Sequence, residues 1–354
     1  MKGLILSGGK GTRLRPLTYS QAKQLVPVAN KPVLFYGLEA LSEVGIKEIG
    51  IIVGETKKDI VEALGDGSRW NVKVTYIDQP EPLGLAHAVL ISESFLKNEP
   101  FIMYLGDNIL KSGIKSFYEE FLKEKPNSLI LLCPVPNPEQ FGVAELDGEK
   151  VIRLIEKPKT PPSNLALVGV YIFDENIFKA VKSLKPSWRN ELEITDAIQY
   201  LIDNGYNVKS HLVSGWWKDT GKLEDILEAN RLILETIESK IEIQIENQSK
   251  IEGRVQIEKD VELKESVIRG PAIIGERCKI INSYIGPFTS IEKNSYIKDT
   301  EIENSIVLEG SIIDGIKSKI EESLIGRFSK IKKDLKKPEA YRFMIGENSE
   351  IGIK

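Results

Sequence analysis

Two hydrophobic patterns divide the chain. Up to about residue 239, short apolar runs rich in β-branched residues alternate with segments whose apolar residues recur every three or four positions. This alternation predicts an α/β fold with a mostly parallel sheet covered by helices on both faces. The predicted strands are 3–6, 49–53, 72–77, 101–105, 128–134, 167–173 and 208–212. The predicted helices are 32–44, 57–64, 85–95, 114–123 and 223–237.

Beyond residue 240, β-branched residues recur at every sixth position. They are Val255, Val261, Val267, Ile273, Ile285, Ile291 and Ile297, then, after a slip of phase, Val307, Ile313, Ile325 and Ile331. Lys279 and Lys319 interrupt the series. A period of six fits neither an α-helix nor a hairpin, but it is typical of a hexapeptide parallel β-helix. We therefore predict two domains, 1–240 and 241–354.

Composition narrows the class of protein. The 354 residues include 48 basic and 52 acidic side chains, a net charge of -4, and 41% are hydrophobic. This composition excludes a mostly disordered chain and argues against a dedicated nucleic-acid binder, which needs clustered positive charge. No apolar stretch approaches the length of a membrane span or of a signal-peptide core. The two cysteines are too few for a disulfide framework, so we expect a cytoplasmic protein.

The turn after the first predicted strand has the composition of a phosphate site. It contains Gly8, Gly9, Lys10, Gly11, Thr12 and Arg13. Glycines let the backbone approach a ligand and present N–H groups to phosphate oxygens. The spacing matches neither a P-loop nor the dinucleotide fingerprint. A plain strand-to-helix turn is the alternative, but the basic residues favour phosphate, and Lys23 follows where it could meet the outer phosphates of a triphosphate.

Several polar residues follow predicted strands or precede helices. Asp107 follows strand 101–105 and Asp219 precedes the last helix, so the fold could bring both carboxylates to one Mg²⁺, although an Asx turn explains a lone aspartate as well. Glu156 and Lys157 end another apolar run. They could be an acceptor for sugar hydroxyl groups beside an anchor for phosphate, or they could simply form a turn. Gln79, near Gly84, could read a base edge.

The nucleophile is not apparent in the chain. His87 and His211 are the only histidines, and each is more simply explained as a packed or surface residue. No Ser-His-Asp set or activated cysteine can be assembled. We therefore expect the substrate itself to supply the nucleophile.

These segments together resemble one family, the sugar-1-phosphate nucleotidylyltransferases, and in particular its long-form glucose-1-phosphate thymidylyltransferases. The segments that carry the resemblance are 8–13, 23–25, Gln79 with Gly84, 105–108, 156–158, 191–196 and 217–221. They follow the family's order through nearly the whole of the first predicted domain. The six-residue pattern is similar to the long subgroup's left-handed β-helix, and the first domain to its Rossmann-like nucleotidyltransferase fold.

The resemblance implies a reaction and its residues. In the implied reaction, a phosphate oxygen of glucose 1-phosphate attacks the α-phosphorus of dTTP in line and gives dTDP-glucose and pyrophosphate, with Mg²⁺ held by Asp107 and Asp219. Arg13 and Lys23 would stabilise charge on the pyrophosphate side. The remaining implied contacts are Gly8, Gly9, Gly11, Thr12, Gln79 and Gly84 for the nucleotide, and Asn108, Gly142, Glu156, Lys157 and Arg189 for the sugar phosphate. Two departures stand out: Phe141 replaces a frequent tyrosine, and Asn190 a usual glycine.

Other functions remain open at this point. A uridylyltransferase or an enzyme of relaxed base choice differs by the recognition of one methyl group. An acetyltransferase activity of the β-helix would normally need a histidine base, and none follows His211, so we expect none. A scaffold that has lost activity would not need Asp107 and Asp219. We expect a homo-oligomer, because the faces and ends of a β-helix favour stacking.

Overall fold

The computed structural model of the chain describes residues 1–245, 248–334, 343 and 345–352. Contacts divide the chain into two units. The first comprises Met1–Lys10, Gln21–Leu25 and Val33–Asp219, and the second Gly11–Ser20, Val26–Pro32 and Thr220–Lys354. The second unit thus includes two short segments from near the N-terminus, whereas the predicted domain limits of 1–240 and 241–354 stay a prediction.

Strands and helices alternate from Lys2 to Leu234. The strands are β1 (Lys2–Leu6), β2 (Pro27–Val28), β3 (Lys31–Pro32), β4 (Glu48–Val53), β5 (Lys73–Asp78), β6 (Phe101–Leu105), β7 (Asn108–Leu110), β8 (Ser128–Pro134), β9 (Gly142–Asp147), β10 (Lys150–Glu156), β11 (Leu165–Phe173), β12 (Val208–Leu212) and β13 (Trp217–Asp219). The helices are α1 (Val33–Glu43), α2 (Lys57–Leu64), α3 (Leu85–Ile91), α4 (Glu93–Leu96), α5 (Lys115–Glu124), α6 (Ile177–Ser183), α7 (Ile194–Asp203) and α8 (Leu223–Leu234).

The seven predicted strands are all present, with ends that differ by no more than two residues. The predicted helix 85–95 is instead two helices, α3 and α4, that meet at Ser92. The buried Ser92 hydroxyl donates a hydrogen bond of 2.7 Å to the Ala88 carbonyl one turn back, a contact that bends helices. The predictions from sequence omit α6, α7, β2, β3, β7, β9 and β13, and they include β10 only as an apolar run.

The main sheet of the first unit is parallel in one half and mixed in the other. Its strand order is β5-β4-β1-β6-β11-β8-β12-β10-β9. The strands from β5 to β6 are parallel, as predicted, but β11 runs antiparallel to both β6 and β8. β9 and β10 form an antiparallel hairpin across Gly148 and Glu149, which needs no crossover helix. The parallel half brings the carboxyl ends of β1, β4, β5 and β6 to one edge.

Both faces of this sheet are buried. Along β1, Leu4 and Leu6 lie in one hydrophobic core and Ile5 lies in the other, as the two-residue period of a strand requires. Burial on both faces explains why these strands are uninterrupted apolar runs in the sequence. Among the described residues, the structure has no helix long and apolar enough to cross a membrane.

The second unit is built on many short parallel strands. They are β14 (Lys240–Ile241), β15 (Lys250–Glu252), β16 (Val255–Ile257), β17 (Glu262–Lys264), β18 (Val267–Arg269), β19 (Ala272–Ile274), β20 (Lys279–Ile281), β21 (Tyr284–Ile285), β22 (Thr289–Ile291), β23 (Tyr296–Lys298), β24 (Glu301–Glu303), β25 (Ile306–Val307), β26 (Ile312–Asp314), β27 (Ile320–Glu321), β28 (Leu324–Ile325) and β29 (Lys330–Lys332). From β15 onward, consecutive strands fall in rotation into three parallel sheets. We call residues 240–332 the three-sheet segment.

The repeat of this segment is not a strict multiple of six. Val255 pairs with Ala272, and Ala272 with Thr289, so these turns of three strands are one residue shorter than three repeats of six, whereas Ile306 pairs with Leu324, a full three repeats. The predicted six-residue period therefore drifts out of phase. The core contains Ile268 and Ile274, each one residue after the predicted Val267 and Ile273. It also contains Ile280, one residue after Lys279, which interrupts the predicted series. The predicted Ile285, Ile291 and Ile297 are buried in that core, whereas the predicted Ile331 is exposed.

Candidate active site

Asp107 and Asp219 lie at the ends of two paired strands. Asp107 follows β6, and the chain continues from it directly into β7. β13 runs antiparallel to β7, and in their register Asp219 stands opposite Asn108. Directly opposite residues of antiparallel strands have Cα atoms about 5 Å apart. The two predicted cation ligands are thus neighbours in the first unit, although their role stays a prediction.

Lys23 forms an ion pair with Asp107. The ammonium contacts Asp107 Oδ2, and both side chains are mostly buried. Burial alone would raise the pKa of Asp107, but the charge and hydrogen bond of Lys23, together with a hydrogen bond from Asn108, lower it below the ordinary value. Asp107 therefore stays ionised at neutral pH, as a ligand of a hard cation must be.

Asn108 orients its neighbour Asp107. Its amide nitrogen donates to Asp107 Oδ1 at 2.9 Å, and its side-chain oxygen accepts from the Gly169 backbone N–H and from Trp217 Nε1. The residue is 2% exposed. The ring of Phe141 packs edge-on against Trp217, with centroids 5.2 Å apart. The structure thus gives the predicted sugar contact Asn108 a supporting role for Asp107.

Gly8 and Gly9 make room for polar side chains. A Cβ atom at Gly9 would lie 3.0 Å from Lys23 Cε, and one at Gly8 would lie 3.1 Å from Gln79 Oε1. Either contact is tighter than side chains normally tolerate. The two glycines therefore let Lys23 and Gln79 lie against the turn that follows β1.

Gln79 is held by Gly84 and His87. Its side-chain nitrogen donates to the Gly84 carbonyl at 3.3 Å and lies 3.0 Å from His87 Nδ1. Gly84 has φ +104°, and a Cβ there would lie 2.4 Å from the Leu192 carbonyl oxygen, so only glycine fits. The sequence explains His87 only as a packed or surface residue and gives no sign of this contact, since the pairing depends on the turn between β5 and α3.

A second polar cluster surrounds Arg189. Its guanidinium lies 3.3 Å from Glu156, 3.0 Å from Glu191 and 3.4 Å from Glu193. Glu156 pairs with Gly142 in the register of β10 and β9. A Cβ at Gly142 would lie 2.7 Å from Thr195 Cγ2, and Thr195 also contacts Glu156. The cluster therefore joins Gly142, Glu156 and Arg189, whose contacts with the sugar phosphate stay a prediction, and adds Glu193 and Thr195, to which the sequence assigns no role.

The electrostatics of this cluster differ from those at Asp107. Burial and the nearby Glu193 raise the pKa of Glu156, and Lys157 and Arg189 oppose the shift only in part. Burial and Glu193 also raise the pKa of Asp196. Lys157 itself follows β10 with φ +43°. The cluster borders a cavity of about 530 Å³ lined by residues of β10, by Trp188 and by polar groups of α7.

Gly11, Thr12 and Arg13 belong to the second unit. Gly11 adopts φ +64° and precedes a short 3₁₀ turn, Thr12–Leu14, in which the Arg13 side chain is exposed. The Thr18 hydroxyl donates to the Gly11 carbonyl at 2.7 Å and closes the loop. Their predicted contacts with phosphates stay a prediction.

The oxygen donors at Asp107 and Asp219 fit Mg²⁺. In the described part of the chain, no three His, Cys, Asp or Glu side chains are grouped as a complete metal cage. Mg²⁺ does not need one, because it commonly takes one or two carboxylates and completes its shell with substrate phosphates and water. An ionised Asp107 beside the strand that carries Asp219 is such a donor set.

Comparison with known proteins identifies the family of the chain. The profile of the nucleotidyl transferase family matches residues 2–236. The chain therefore belongs to the nucleotidyl transferases. Within that family it belongs with the glucose-1-phosphate thymidylyltransferases, and the resemblance predicted from the sequence is confirmed.

Two relatives of that name come from Streptomyces. The chain is 50% identical to the glucose-1-phosphate thymidylyltransferase of Streptomyces antibioticus over 100% of both chains. It is 53% identical to that of Streptomyces griseus over 88% of both. Among solved structures, UDP-glucose pyrophosphorylase complexed with UDP-glucose is similar at a TM-score of 0.61 and 26% identity, covering 67% of this chain and 99% of the other.

Proposed function

We propose that this enzyme transfers a thymidylyl group from dTTP to glucose 1-phosphate and gives dTDP-glucose and pyrophosphate. A phosphate oxygen of glucose 1-phosphate attacks the α-phosphorus in line. One phosphorus–oxygen bond forms, and the bond to the departing pyrophosphate breaks. The observation that carries the proposal is the register of β7 and β13, which sets Asp219 opposite Asn108 and so next to Asp107. Relatives at 50–53% identity support the choice of substrates.

On the nucleotide side, we assign Asp107 and Asp219 to Mg²⁺, which when bound neutralises charge on the reacting phosphates. Lys23 and Arg13 stabilise negative charge on the pyrophosphate side, and Gly11 and Thr12 face the phosphates. Gln79 and Gly84 read the base edge, while Gly8 and Gly9 leave space for the nucleoside. The contact between Gln79 and His87 supports this role, because it fixes the orientation of the carboxamide.

On the sugar side, we assign Lys157 and Arg189 to the phosphate of glucose 1-phosphate and Asn108, Gly142 and Glu156 to the sugar. The ion pair of Arg189 with Glu156 supports the assignment, because it joins a cation for phosphate to an acceptor for hydroxyl groups. A positioned cation and acceptor lower the entropic cost of bringing the two substrates together.

We also propose that the three-sheet segment is a left-handed parallel β-helix forming most of a domain at residues 241–354. The rotation of strands through three sheets and the in-register pairing of successive turns support it. Its regular faces favour a homo-oligomer. We propose a cytoplasmic location because both cysteines are free thiols.

A pyrophosphate-release assay tests the proposed reaction. Purified enzyme is given dTTP or UTP with glucose 1-phosphate, with Mg²⁺ or with a chelator in excess. We expect release with dTTP and Mg²⁺, and loss of release with the chelator. No turnover of dTTP with any sugar 1-phosphate would contradict the proposal.

The same assay decides between thymine and uracil. The two bases differ by one methyl group, worth about 1 kcal/mol in an apolar contact, so kcat/KM should be about 5-fold higher for dTTP than for dUTP, which has the same deoxyribose. A kcat/KM higher for UTP would replace the thymidylyl assignment with a uridylyl one.

A further inference from the structure

The loop that carries Arg13 packs against the three-sheet segment within the second unit. Gly326 follows β28, and a Cβ placed on it would lie 3.3 Å from Leu17 Cδ2. Leu17 belongs to a 3₁₀ turn that follows the turn containing Arg13. Because position 326 has no side chain, the Leu17 methyl group can lie against the backbone there.

Tyr19 attaches the same loop to Glu347 and Asn348, which lie beyond the three-sheet segment in the second unit. Its hydroxyl donates to Glu347 Oε2 at 2.9 Å and accepts from Asn348 Nδ2 at 3.3 Å. The Arg15 guanidinium lies 4.7 Å from the centre of the Tyr19 ring. The Tyr19 side chain is half exposed, so these polar contacts rather than burial hold it.

Contacts inside the loop connect these attachments to Arg13. The Thr18 hydroxyl donates to the Gly11 carbonyl at 2.7 Å, and the Leu14 backbone N–H donates to the same carbonyl at 3.0 Å. The loop is therefore closed on itself around Thr12–Leu14. A displacement of Leu17 or Tyr19 would be transmitted to the backbone of Arg13.

The other early segment of the second unit, Val26–Pro32, is also attached to the three-sheet segment. Asn30 Nδ2 donates to the Ile291 carbonyl at 2.7 Å. The buried Asn230 accepts from the Ala29 backbone N–H at 2.8 Å and from the Ser290 hydroxyl at 3.0 Å. The segments on both sides of Gln21–Leu25, which carries Lys23, thus end in contacts with one scaffold.

We propose that the three-sheet segment positions the triphosphate-binding loop through the packing of Leu17 on Gly326, and that Tyr19 holds the same loop through Glu347 and Asn348; Leu17, Tyr19 and Gly326 are the positioning residues. The proposal rests on the proposed function, in which Arg13 meets the triphosphate. It gives the three-sheet segment a part in the reaction beyond stability or assembly. Misplacement of a binding group by about 1 Å can reduce turnover by up to about 100-fold, so a modest loss of packing should be measurable.

A size swap at Leu17 and Gly326 tests the packing contact. Gly326→Leu should displace Leu17 and lower kcat with dTTP about 10-fold. It should leave KM for glucose 1-phosphate unchanged, because Lys157 and Arg189 belong to the first unit. The double variant Leu17→Ala/Gly326→Leu removes the clash and should recover most of the activity. A single variant with full activity, or a double variant no better than the single one, would overturn the proposal.

Removal of the Tyr19 hydroxyl tests the polar contact. Tyr19→Phe should lower kcat about 3-fold, the value expected for loss of a partly exposed hydrogen bond. Tyr296→Phe, a hydroxyl deletion on β23 of the three-sheet segment, is the matched control and should leave kcat unchanged. Equal effects of the two variants would contradict a specific role of Tyr19.

Hydrogen exchange of residues 11–20 separates this inference from the proposed function. Exchange should be faster in Gly326→Leu than in wild type, and should return toward the wild-type rate in the double variant. If wild type lacks thymidylyl transfer, the proposed function fails, and exchange alone decides whether the segment holds the loop. Unchanged exchange in Gly326→Leu would overturn the inference even if the wild type is active.

Discussion

Asp107 and Glu156 are both largely buried carboxylates in contact with a cation, yet their pKa values shift in opposite directions. Asp107 has the ammonium of Lys23 and a hydrogen bond from Asn108. Glu156 shares the guanidinium of Arg189 with Glu191 and Glu193. A cation shared among several acids offsets burial less well for each of them. Asp107, on the proposed nucleotide side, is thus held as an anion, whereas Glu156, on the proposed sugar side, takes a proton more readily.

The largest expected effect comes from removing the charge that Lys23 stabilises. Asp107→Asn keeps the side-chain size but removes a proposed Mg²⁺ ligand, so kcat should fall about 1,000-fold, or ~4 kcal/mol. Steady-state kinetics with dTTP provide the measurement. Asp147→Asn, at the exposed end of β9, is the control and should behave as wild type. Activity within about 10-fold of wild type would exclude Asp107 as an essential ligand.

Removing the shared cation should have the next largest effect. Arg189→Met leaves three carboxylates without their guanidinium and removes a proposed phosphate contact. We expect kcat/KM for glucose 1-phosphate to fall about 100-fold, while KM for dTTP changes little. Arg254→Met, an exposed arginine of the second unit, is the matched control. An equal loss in both substrates would show that Arg189 does not act on the sugar side alone.

His87 offers a smaller test on the nucleotide side. His87→Ala removes one partner of Gln79, so KM for dTTP should rise about 5-fold, or ~1 kcal/mol, with kcat little changed. His211→Ala is the control, because His211 contacts Glu120 instead. If both histidine variants raise KM equally, the Gln79 contact is not the cause.

The smallest effects are opposite dependences of stability on pH. Since its pKa is raised, folded Glu156 binds its proton more tightly than the unfolded chain, where it titrates near 4.5. Wild type should therefore lose stability relative to Glu156→Gln as pH rises above 4.5. Asp107 has a lowered pKa, so wild type should lose stability relative to Asp107→Asn as pH falls below 3.8.

Urea unfolding of wild type, Glu156→Gln and Asp107→Asn, at pH values below 3.8 and above 4.5, provides the measurement. The free energy of unfolding of each variant is compared with that of wild type at every pH. A difference between wild type and Glu156→Gln that stays constant from pH 4 to 7 would contradict the raised pKa. If the difference in free energy of unfolding between wild type and variant changes with pH in the same direction for both variants, the two carboxylates do not have opposite pKa shifts.

Local pattern was sufficient for seven of the nine strands of the main sheet, because the central ones are apolar on both faces. β8 and β12 have the bounds that the sequence predicts. α7 was missed although Ile194, Ala197, Ile198 and Leu201 recur at helical spacing, so the signal was present in the sequence. β7 and β13 carry no such signal, since each is three residues long and is defined by the other strand.

The sequence predicted which residues belong to the candidate site more fully than it predicted the contacts between them. Resemblance supplied Asp107, Glu156 and Arg189, but not the sharing of Arg189 among carboxylates or the contact of His87 with Gln79. Those depend on which loops meet after folding. The assignment of Gly11–Ser20 to the second unit was equally out of reach, because the contact between Leu17 and Gly326 joins segments from opposite ends of the chain.

The strand order of the three-sheet segment sets the distance between the two points at which the early segments are attached to it. Asn30 donates a hydrogen bond to Ile291, the last residue of β22, and Leu17 lies beside Gly326, which follows β28. The strands β22 and β28 belong to one sheet, and β25 lies between them. Two strand spacings, about 9.6 Å, therefore set the separation of the two attachment levels. Adding or deleting one whole turn of strands there would change that separation by a single strand spacing, about 4.8 Å. The number of turns between these two attachments must therefore match the separation of Leu17 and Asn30.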